Sequence, residues 1–337
     1  MEHYAPHTNA KFEGFYSKFG LPSGAHIALI ICSVPKATTL PPHMVSFTYY
    51  PKTGTDIFRR DQWVQDIYRI KTDGKTHAFE LRVPGVGFMR CDADSTTEYS
   101  LDGDGWSIHA KTKTRTPWQP RMETPEGWMV RLPLPLHWHV HSLNSLADCE
   151  LEIPSVDLPK EDNKGWAMIH QEKNWASSFP SAHMWIQAFN RDTGSTICLA
   201  GGKILGMTAY LVGYRSKDLD ISFRPPFSLA LFGWSPTMSV DVNWKRGAFN
   251  LGVTSFWKKL EIEAVAPKDR GGWFGLPAPF SEGHRENFLT ESFLADVKVT
   301  VFEKEGWIFG GWRQVKRESF KNASLEFGGD YFPDRGT

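Results

Sequence analysis

Residues Trp166 to Gln187 read WAMIHQEKNWASSFPSAHMWIQ, two apolar, aromatic-rich runs joined by a Ser-Pro turn. Runs of this length and composition favour β-strands. The first run also carries Glu172, Lys173 and Asn174, and such side chains are costly to bury unless they are paired or hydrogen-bonded. Two interpretations therefore stay open: a buried ion pair that fixes a chain crossing, or a polar site that faces a ligand.

Strand signals of the same kind extend along the rest of the chain. Alternating or β-branched runs occupy Val45–Tyr50, His77–Val83, Ser239–Trp244 and Asp296–Phe302. Glycine-containing turns separate such runs, and the chain has 22 prolines. Short strands with frequent turns are typical of barrels and sandwiches, so we predict an all-β fold. Arg285–Leu294 is predicted to form a short helix.

An internal repeat suggests how the chain is divided. The stretch FEGFYSKF, which contains Glu13, and the stretch QEKNWASSF, which contains Glu172, are both followed by Ala-His and an apolar strand. The repeat predicts two similar halves with Glu13 and Glu172 at equivalent positions. The polar segment 155–164 is the predicted linker, which gives an N-terminal domain over residues 1–154 and a C-terminal domain over residues 165–337.

Composition narrows the class of partner. The chain has 38 basic and 38 acidic residues, and this neutral balance does not favour nucleic acid or an anionic membrane surface. Its 14 Trp and 23 Phe favour a pocket for an apolar or aromatic small molecule. No secretion signal is recognisable at the start, and the apolar run Ile27–Cys32 is too short to span a bilayer. We expect a cytoplasmic protein with four reduced cysteines.

Standard catalytic motifs are missing from the sequence. There is no P-loop, dinucleotide-binding glycine pattern, zinc-protease helix or nucleophile elbow, so we predict no cofactor and no metal. His137, His139 and His141 alternate and would share one face of a strand. That face would hold a metal or relay a proton in one interpretation, and would line a pocket or simply meet solvent in the other.

Several stretches resemble one known family. EKNWASSFP, starting at Glu172 and followed by Trp185-Ile186-Gln187, closely resembles the EKNWGxxFP…WxQ signature of tocopherol cyclase-like proteins. Phe12–Tyr16 resembles the family's FEGWY opening, Ala200–Gly202 a small-residue turn, and Ala323–Gly329 its C-terminus. The chain departs from the pattern at Phe15, Ala176, His183 and Met184.

The resemblance implies two lipocalin-like β-barrels or half-barrels packed side by side, with a cofactor-free pocket at or near their junction. It also implies a cyclase that forms a C–O ring by adding a phenol hydroxyl across a prenyl or alkenyl double bond in secondary metabolism. In this reading Glu172 protonates the alkene, Lys173 favours the phenolate, and Trp175 stabilises the developing cation.

The remaining site residues are expected to bind the substrate, a small apolar aromatic or prenylated molecule. They are Glu13, Tyr16, His137, His139, Asn174, Phe179, Trp185 and Gln187. Two alternatives stay open: a hetero-Diels–Alderase that joins a quinone methide to an alkene, and a carrier of an apolar metabolite without catalysis. A homodimer also stays open.

Overall fold

The computed structural model describes residues 3–72, 77–120, 124–177, 179–269, 271–306 and 310–334. The chain forms two compact units. The N-terminal unit comprises Met1–Phe179 and Pro279–Arg285, and the C-terminal unit comprises Pro180–Ala278 and Glu286–Thr337. The division therefore falls after Phe179 and not in the predicted linker 155–164, because the strand that follows the linker joins the N-terminal sheet.

The N-terminal unit is one antiparallel sheet, ordered β4-β3-β2-β1-β11-β10-β9-β8-β7-β6-β5. Its strands are β1 (Phe12–Gly20), β2 (His26–Ser33), β3 (His43–Tyr50), β4 (Phe58–Trp63), β5 (Tyr68–Lys71), β6 (Phe79–Val83), β7 (Gly87–Cys91), β8 (Thr97–Gly103), β9 (Trp106–Thr112), β10 (Leu136–Glu152) and β11 (Lys164–Ala176). A 3-10 helix, Gly127–Arg131, precedes β10, and α1 (Lys160–Asn163) precedes β11.

Alternating side chains from all parts of this sheet meet in a single apolar core. Phe15 and Phe19 of β1 pack with residues such as Phe47, Tyr99 and Ile169, which are buried in the same cluster. Because strands far apart in the sheet order share one core, the sheet curls around it. The alternation leaves the even-numbered residues of β1 and β11 on the opposite face.

The C-terminal unit repeats this plan. Its main sheet order is β15-β14-β13-β12-β22-β21-β19-β18-β17, with β16 on β14 and β20 on β21. The strands are β12 (Ala182–Phe189), β13 (Thr196–Ile204), β14 (Met207–Arg215), β15 (Asp220–Phe223), β16 (Leu229–Leu231), β17 (Met238–Asn243), β18 (Ala248–Thr254), β19 (Lys258–Val265), β20 (Phe274–Phe280), β21 (Gly283–Lys304) and β22 (Trp312–Gly329), with a 3-10 helix at Trp244–Arg246.

Nine strands of each unit follow the same order, and the strand content of both units confirms the predicted all-β class. In each sheet the first strand pairs with the last: β1 with β11, and β12 with β22. The predicted equivalence of Glu13 and Glu172 is wrong, because β1 and β11 are antiparallel neighbours within the N-terminal sheet. The counterpart of β11 in the C-terminal sheet is β22.

Two local expectations also change. The predicted helix Arg285–Leu294 lies within β21, where Leu289 to Ser292 pair with β22, so tertiary pairing overrides the local pattern. The predicted turn at Gly201-Gly202 lies inside β13. A Cβ on Gly202 would stand 1.9 Å from the Ala182 carbonyl oxygen, so the glycines serve close strand packing.

Two further expectations concern the cysteines and the length of the helices. All four cysteines are free and buried, as expected. In the part of the chain that the structure describes, no helix has the length and apolar character needed to cross a membrane.

Candidate active site

Three neighbouring strands, β1, β11 and β10, align the residues that the sequence predicted to be functional. Glu13 lies opposite Trp175, which lies opposite His137. Because side chains alternate, this row faces the apolar core and is here called the inner face. The opposite surface, the outer face, carries Glu172 with Tyr16 across from it on β1.

The outer face holds a buried acid and a histidine in direct contact. His170 and Glu172 are two residues apart on β11, and the Nε2 atom of His170 lies 2.8 Å from Oε2 of Glu172. The His170 side chain is 2% exposed and that of Glu172 is 10% exposed. Asn174 continues the same face towards the end of the strand, and Lys18 lies opposite His170.

Backbone contacts define the protonation of this pair. Nδ1 of His170 lies 3.3 Å from the carbonyl oxygen of Leu143, which can only accept a hydrogen bond. The hydrogen of a neutral His170 therefore resides on Nδ1, and Nε2 carries the lone pair that faces Glu172. A proton between Nε2 and Oε2 would complete a hydrogen bond at this distance.

The inner face holds a different kind of contact, a fully buried ion pair. Nζ of Lys173 lies 2.5 Å from Oε1 of Glu13, and neither side chain is exposed. The same ammonium group donates to the carbonyl oxygen of Ala5 at 2.7 Å, and it lies 2.9 Å from Nδ1 of His7. The partner of Lys173 is therefore Glu13 and not Glu172, because adjacent residues on a strand point to opposite faces.

Charge and burial compete in setting the pKa values of this cluster. Burial alone would raise the pKa of Glu13, but the charge of Lys173 and hydrogen bonds from His7 and Lys173 lower the pKa below its ordinary value. Burial lowers the pKa of His7, and the hydrogen bond to Glu13 opposes this only in part. The cluster therefore favours an ionised Glu13 beside a neutral His7.

Trp175 lies among imidazole rings on the inner face. Its ring stacks on His7 at 4.0 Å between centroids and on His137 at 5.0 Å. Nδ1 of His137 lies 2.8 Å from Oε2 of Glu126, whose other oxygen accepts a hydrogen bond from the backbone of Trp138. Trp175 therefore does not share a face with Glu172, which removes the predicted role of Trp175 beside that acid.

The three predicted histidines of β10 lie on the inner face. His137 and His139 lie opposite Trp175 and Lys173, but a register shift follows Val140. The ring of His141 stacks on Tyr4 with centroids 4.0 Å apart. Among the described residues, no metal-sized cluster includes these histidines. Tyr4 also lies 6.4 Å from the ring of His139, so the predicted sharing of one face by these histidines is confirmed despite the bulge.

The other predicted residues lie in two places. Phe179 contacts the rings of Phe12 and Phe280 in the N-terminal unit, with centroids 6.0 and 5.9 Å apart. Trp185 and Gln187 lie on β12 of the C-terminal unit, on the face opposite its apolar core. On that face, Nε2 of His183 lies 2.9 Å from Oε1 of Glu326.

Sequence reasoning missed three residues of these clusters. His170 could have been found, because it stands two positions before Glu172 and must share its face of the strand. Glu126 and His7 had no such signal, since both lie outside the strands and reach the site only through the fold.

This chain, with its two curled antiparallel sheets, was compared with known proteins. No family model matches the chain. A rice (Oryza sativa subsp. japonica) protein named "Probable tocopherol cyclase, chloroplastic" is 24% identical over 261 residues, which cover 72% of this chain. The match covers 50% of the rice protein, so this chain spans about half the length of the curated relative.

Solved structures share the fold across nearly the whole chain. A protein given the name AttH, from Nitrosomonas europaea, has a TM-score of 0.55 at 10% identity and is covered to 95%. CghA has a TM-score of 0.59 at 12% identity and is covered to 93%. Kievitone hydratase from Nectria haematococca has a TM-score of 0.54 at 9% identity and is covered to 91%. Each match covers 97% of this chain. The resemblance to tocopherol cyclase-like proteins is confirmed.

Proposed function

We propose that this protein is a cyclase that works without a cofactor and closes a C–O ring by adding a phenol hydroxyl across a prenyl or alkenyl double bond. The observation that supports it most is the buried Glu172–His170 pair, in which Nε2 of His170 lies 2.8 Å from Oε2 of Glu172. Protonation of an alkene needs a proton donor that is held away from water and can be reloaded. The pair has both properties.

The reaction is an isomerisation in which all atoms are retained. The carboxyl group of Glu172 gives its proton to the less substituted alkene carbon, so a C–H bond forms as the π bond breaks. The phenol oxygen then attacks the other carbon and forms the C–O bond. The phenol proton passes to Nε2 of His170 or back to Glu172, which restores the pair. Folding the alkenyl chain over the phenol brings the reacting atoms together.

Two aromatic side chains occupy the outer face that Glu172 uses. Tyr16 lies directly opposite Glu172 on β1, and Trp138 lies opposite Asn174 on β10. The ring of Trp138 is 5% exposed and packs edge-on against Trp118. Aromatic faces stabilise cations, so we assign Trp138 and Tyr16 the role that the sequence gave to Trp175. Asn174 would orient the phenol oxygen.

The names of two similar proteins support the class of reaction that we propose. The name of the rice protein specifies a cyclase, and one fold neighbour is named a hydratase. Ring closure by a phenol and hydration by water both add O–H across a double bond. We propose a prenylated aromatic substrate, a role in secondary metabolism and a cytoplasmic location.

Isotope incorporation tests the proposal. Purified enzyme would be incubated in D₂O with a panel of ortho-prenyl phenols, and the products examined by mass spectrometry and NMR. Protonation predicts one deuterium at the less substituted carbon of the former alkene. A pericyclic reaction of a quinone methide with an alkene would give a ring without that deuterium. Binding without conversion would instead indicate a carrier.

Substitution of the acid complements this experiment. Glu172→Gln keeps the shape of the side chain but cannot deliver a proton to the alkene. We expect turnover to fall about 100-fold or more, with thermal unfolding nearly unchanged. Glu326→Gln, at the carboxylate that lies beside His183 in the C-terminal unit, is the matched control. Normal turnover in Glu172→Gln would refute the assignment of the acid.

A further inference from the structure

The C-terminal unit exposes a group of large apolar side chains at its turns. These residues, here called the apolar tips, are Leu205, Leu231, Phe232, Trp234, Phe256 and Trp257, with exposed fractions from 49% for Leu231 to 96% for Phe232. Exposed aromatic residues are ordinary when single, but a contiguous set marks an interaction site. Nothing in the proposed reaction uses them.

Backbone pairing brings the first four tips together. Leu205 lies in the turn between β13 and β14, where Ile204 pairs with Met207. Met207 also pairs with Leu231 at the end of β16. The chain then reverses within Phe232-Gly233, both with positive φ, and Trp234 bridges back to Leu231. These turns therefore end side by side.

The remaining two tips adjoin the same turn. The backbone nitrogen of Thr254 donates to the carbonyl oxygen of Thr237 at 2.8 Å, so the turn with Phe256 and Trp257 starts beside the segment that follows Trp234. The ring of Phe256 also packs edge-on against Phe227, with centroids 5.6 Å apart. The six residues thus form one end of the C-terminal unit.

Charges around the apolar tips are few and mostly basic. No charged residue occurs between Lys203 and Arg215, between Arg224 and Asp241, or between Arg246 and Lys258. Lys203 and Lys258 are the charged residues nearest in sequence to the exposed Leu205 and Trp257. Across the sheet, Glu303 lies opposite Lys258 and is followed by Lys304. The net charge of the whole chain is zero and does not reveal these basic residues near the apolar tips.

We propose that the apolar tips dock the protein onto a phospholipid bilayer that contains anionic lipid. Trp and Phe favour the boundary between headgroups and acyl chains, and lysine beside them attracts anionic headgroups. Separate turns, one with an exposed leucine and two with exposed aromatic rings, fit a deformable lipid surface. A protein partner would need a matching set of concavities. The proposal goes beyond the cyclase reaction and stands independently of it.

Vesicle binding tests this docking surface. The full chain would be cosedimented with vesicles of phosphatidylcholine and phosphatidylglycerol, and tryptophan fluorescence would report transfer of the rings into an apolar medium. We expect the wild type to bind and Phe232→Ser/Trp234→Ser to bind at least about tenfold more weakly. Trp128→Ser is the matched control, because Trp128 is 60% exposed in the N-terminal unit. It should bind like the wild type.

The outcomes separate lipid from the other occupants of such a surface. Both side chains of the double variant are exposed, so unchanged thermal unfolding would show that it folds. Absence of wild-type binding to the vesicles, or equal binding of the double variant, would overturn the proposal. A wild type that is dimeric and ignores vesicles, with a monomeric double variant, would assign the surface to a second copy of the chain. Cyclase turnover with soluble substrate should not change in the double variant.

Discussion

The two units share their central strand pairing but differ in what the inner face of that pair buries. On the outer faces both carry a carboxylate beside a histidine: Glu172 with His170 at 2.8 Å, and Glu326 with His183 at 2.9 Å. On the inner face of the C-terminal unit, Met184, Ile186, Leu325 and Phe327 form an apolar surface. In the N-terminal unit the corresponding face holds the Glu13–Lys173 ion pair.

This difference separates structural charge from functional charge. The inner ion pair is tied to the N-terminal segment through the Ala5 carbonyl and His7, so it holds that segment on the sheet. The C-terminal unit holds its own terminal segment by apolar packing instead, because Tyr331 and Phe332 lie against its core. The carboxylate and histidine recur on both outer faces. We therefore interpret the outer pairs as candidates for chemistry and the inner pair as an anchor.

The largest effect is expected from breaking the inner ion pair. Lys173→Met removes the nearer cation of the buried Glu13 and leaves Arg69, whose Nη1 lies 3.7 Å from Oε2. The loss should lower the free energy of unfolding by about 3 kcal/mol. The double variant Glu13→Leu/Lys173→Met makes the N-terminal inner face resemble the C-terminal one and should recover most of this loss. Denaturant unfolding measures both. A single variant as stable as the wild type would remove the anchor interpretation.

The second-largest effect is expected when the two outer carboxylates, Glu172 and Glu326, are compared. We expect Glu172→Gln to reduce turnover about 100-fold, or about 2.7 kcal/mol of activation free energy, while Glu326→Gln keeps turnover within about threefold. The physical reason is that only Glu172 has its proton relay on the same strand, fixed by the Leu143 carbonyl. Steady-state kinetics on both variants measure this difference in turnover. Equal defects would mean that both units contribute to the reaction.

The pH dependence of stability sharpens the contrast between the inner faces. Burial lowers the pKa of His7 below its ordinary value of 6.5, so the unfolded chain binds a proton at this site more readily than the folded chain. Stability should therefore fall as the pH drops through 6.5 towards the lowered pKa. His7→Phe should reduce this slope in urea titrations between pH 7 and about 5.

Two other histidines also contribute to the pH dependence of stability. The pKa values of His43 and His284 are also lowered, chiefly by burial, so they contribute with the same sign. The slope in His7→Phe should therefore shrink without vanishing. A slope equal to that of the wild type would show that His7 does not sense burial in the folded protein.

The smallest effect is expected at the other end of β11. Nζ of Lys164 lies 3.3 Å from Glu150, but the two side chains are 76% and 47% exposed. Water screens such a pair, so Lys164→Ala should change the free energy of unfolding by less than about 1 kcal/mol. The same denaturant series that tests Lys173→Met measures it. A cost near that of Lys173→Met would mean that burial does not govern the energetics of pairs on this strand.

Local sequence determined the class of fold and part of the site. Alternation of apolar and polar residues with period two, broken by glycine and proline, is a short-range property. It predicted strands correctly in runs such as Val45–Tyr50 and Asp296–Phe302. The same alternation already implied that His170 and Glu172 share one face. The resemblance at Glu172–Pro180 and the absence of standard cofactor motifs reduced the number of reaction classes to consider.

Only the tertiary structure decided which strands became neighbours, and hence which charges became partners. Glu13 and Lys173 are far apart in the chain, and their pairing depends on β1 lying beside β11. The end of the N-terminal unit after Phe179, and the strand at Arg285–Leu294, follow from the same long-range pairing. Pairing between distant strands depends on which apolar faces close a common core, and no local pattern encodes that choice.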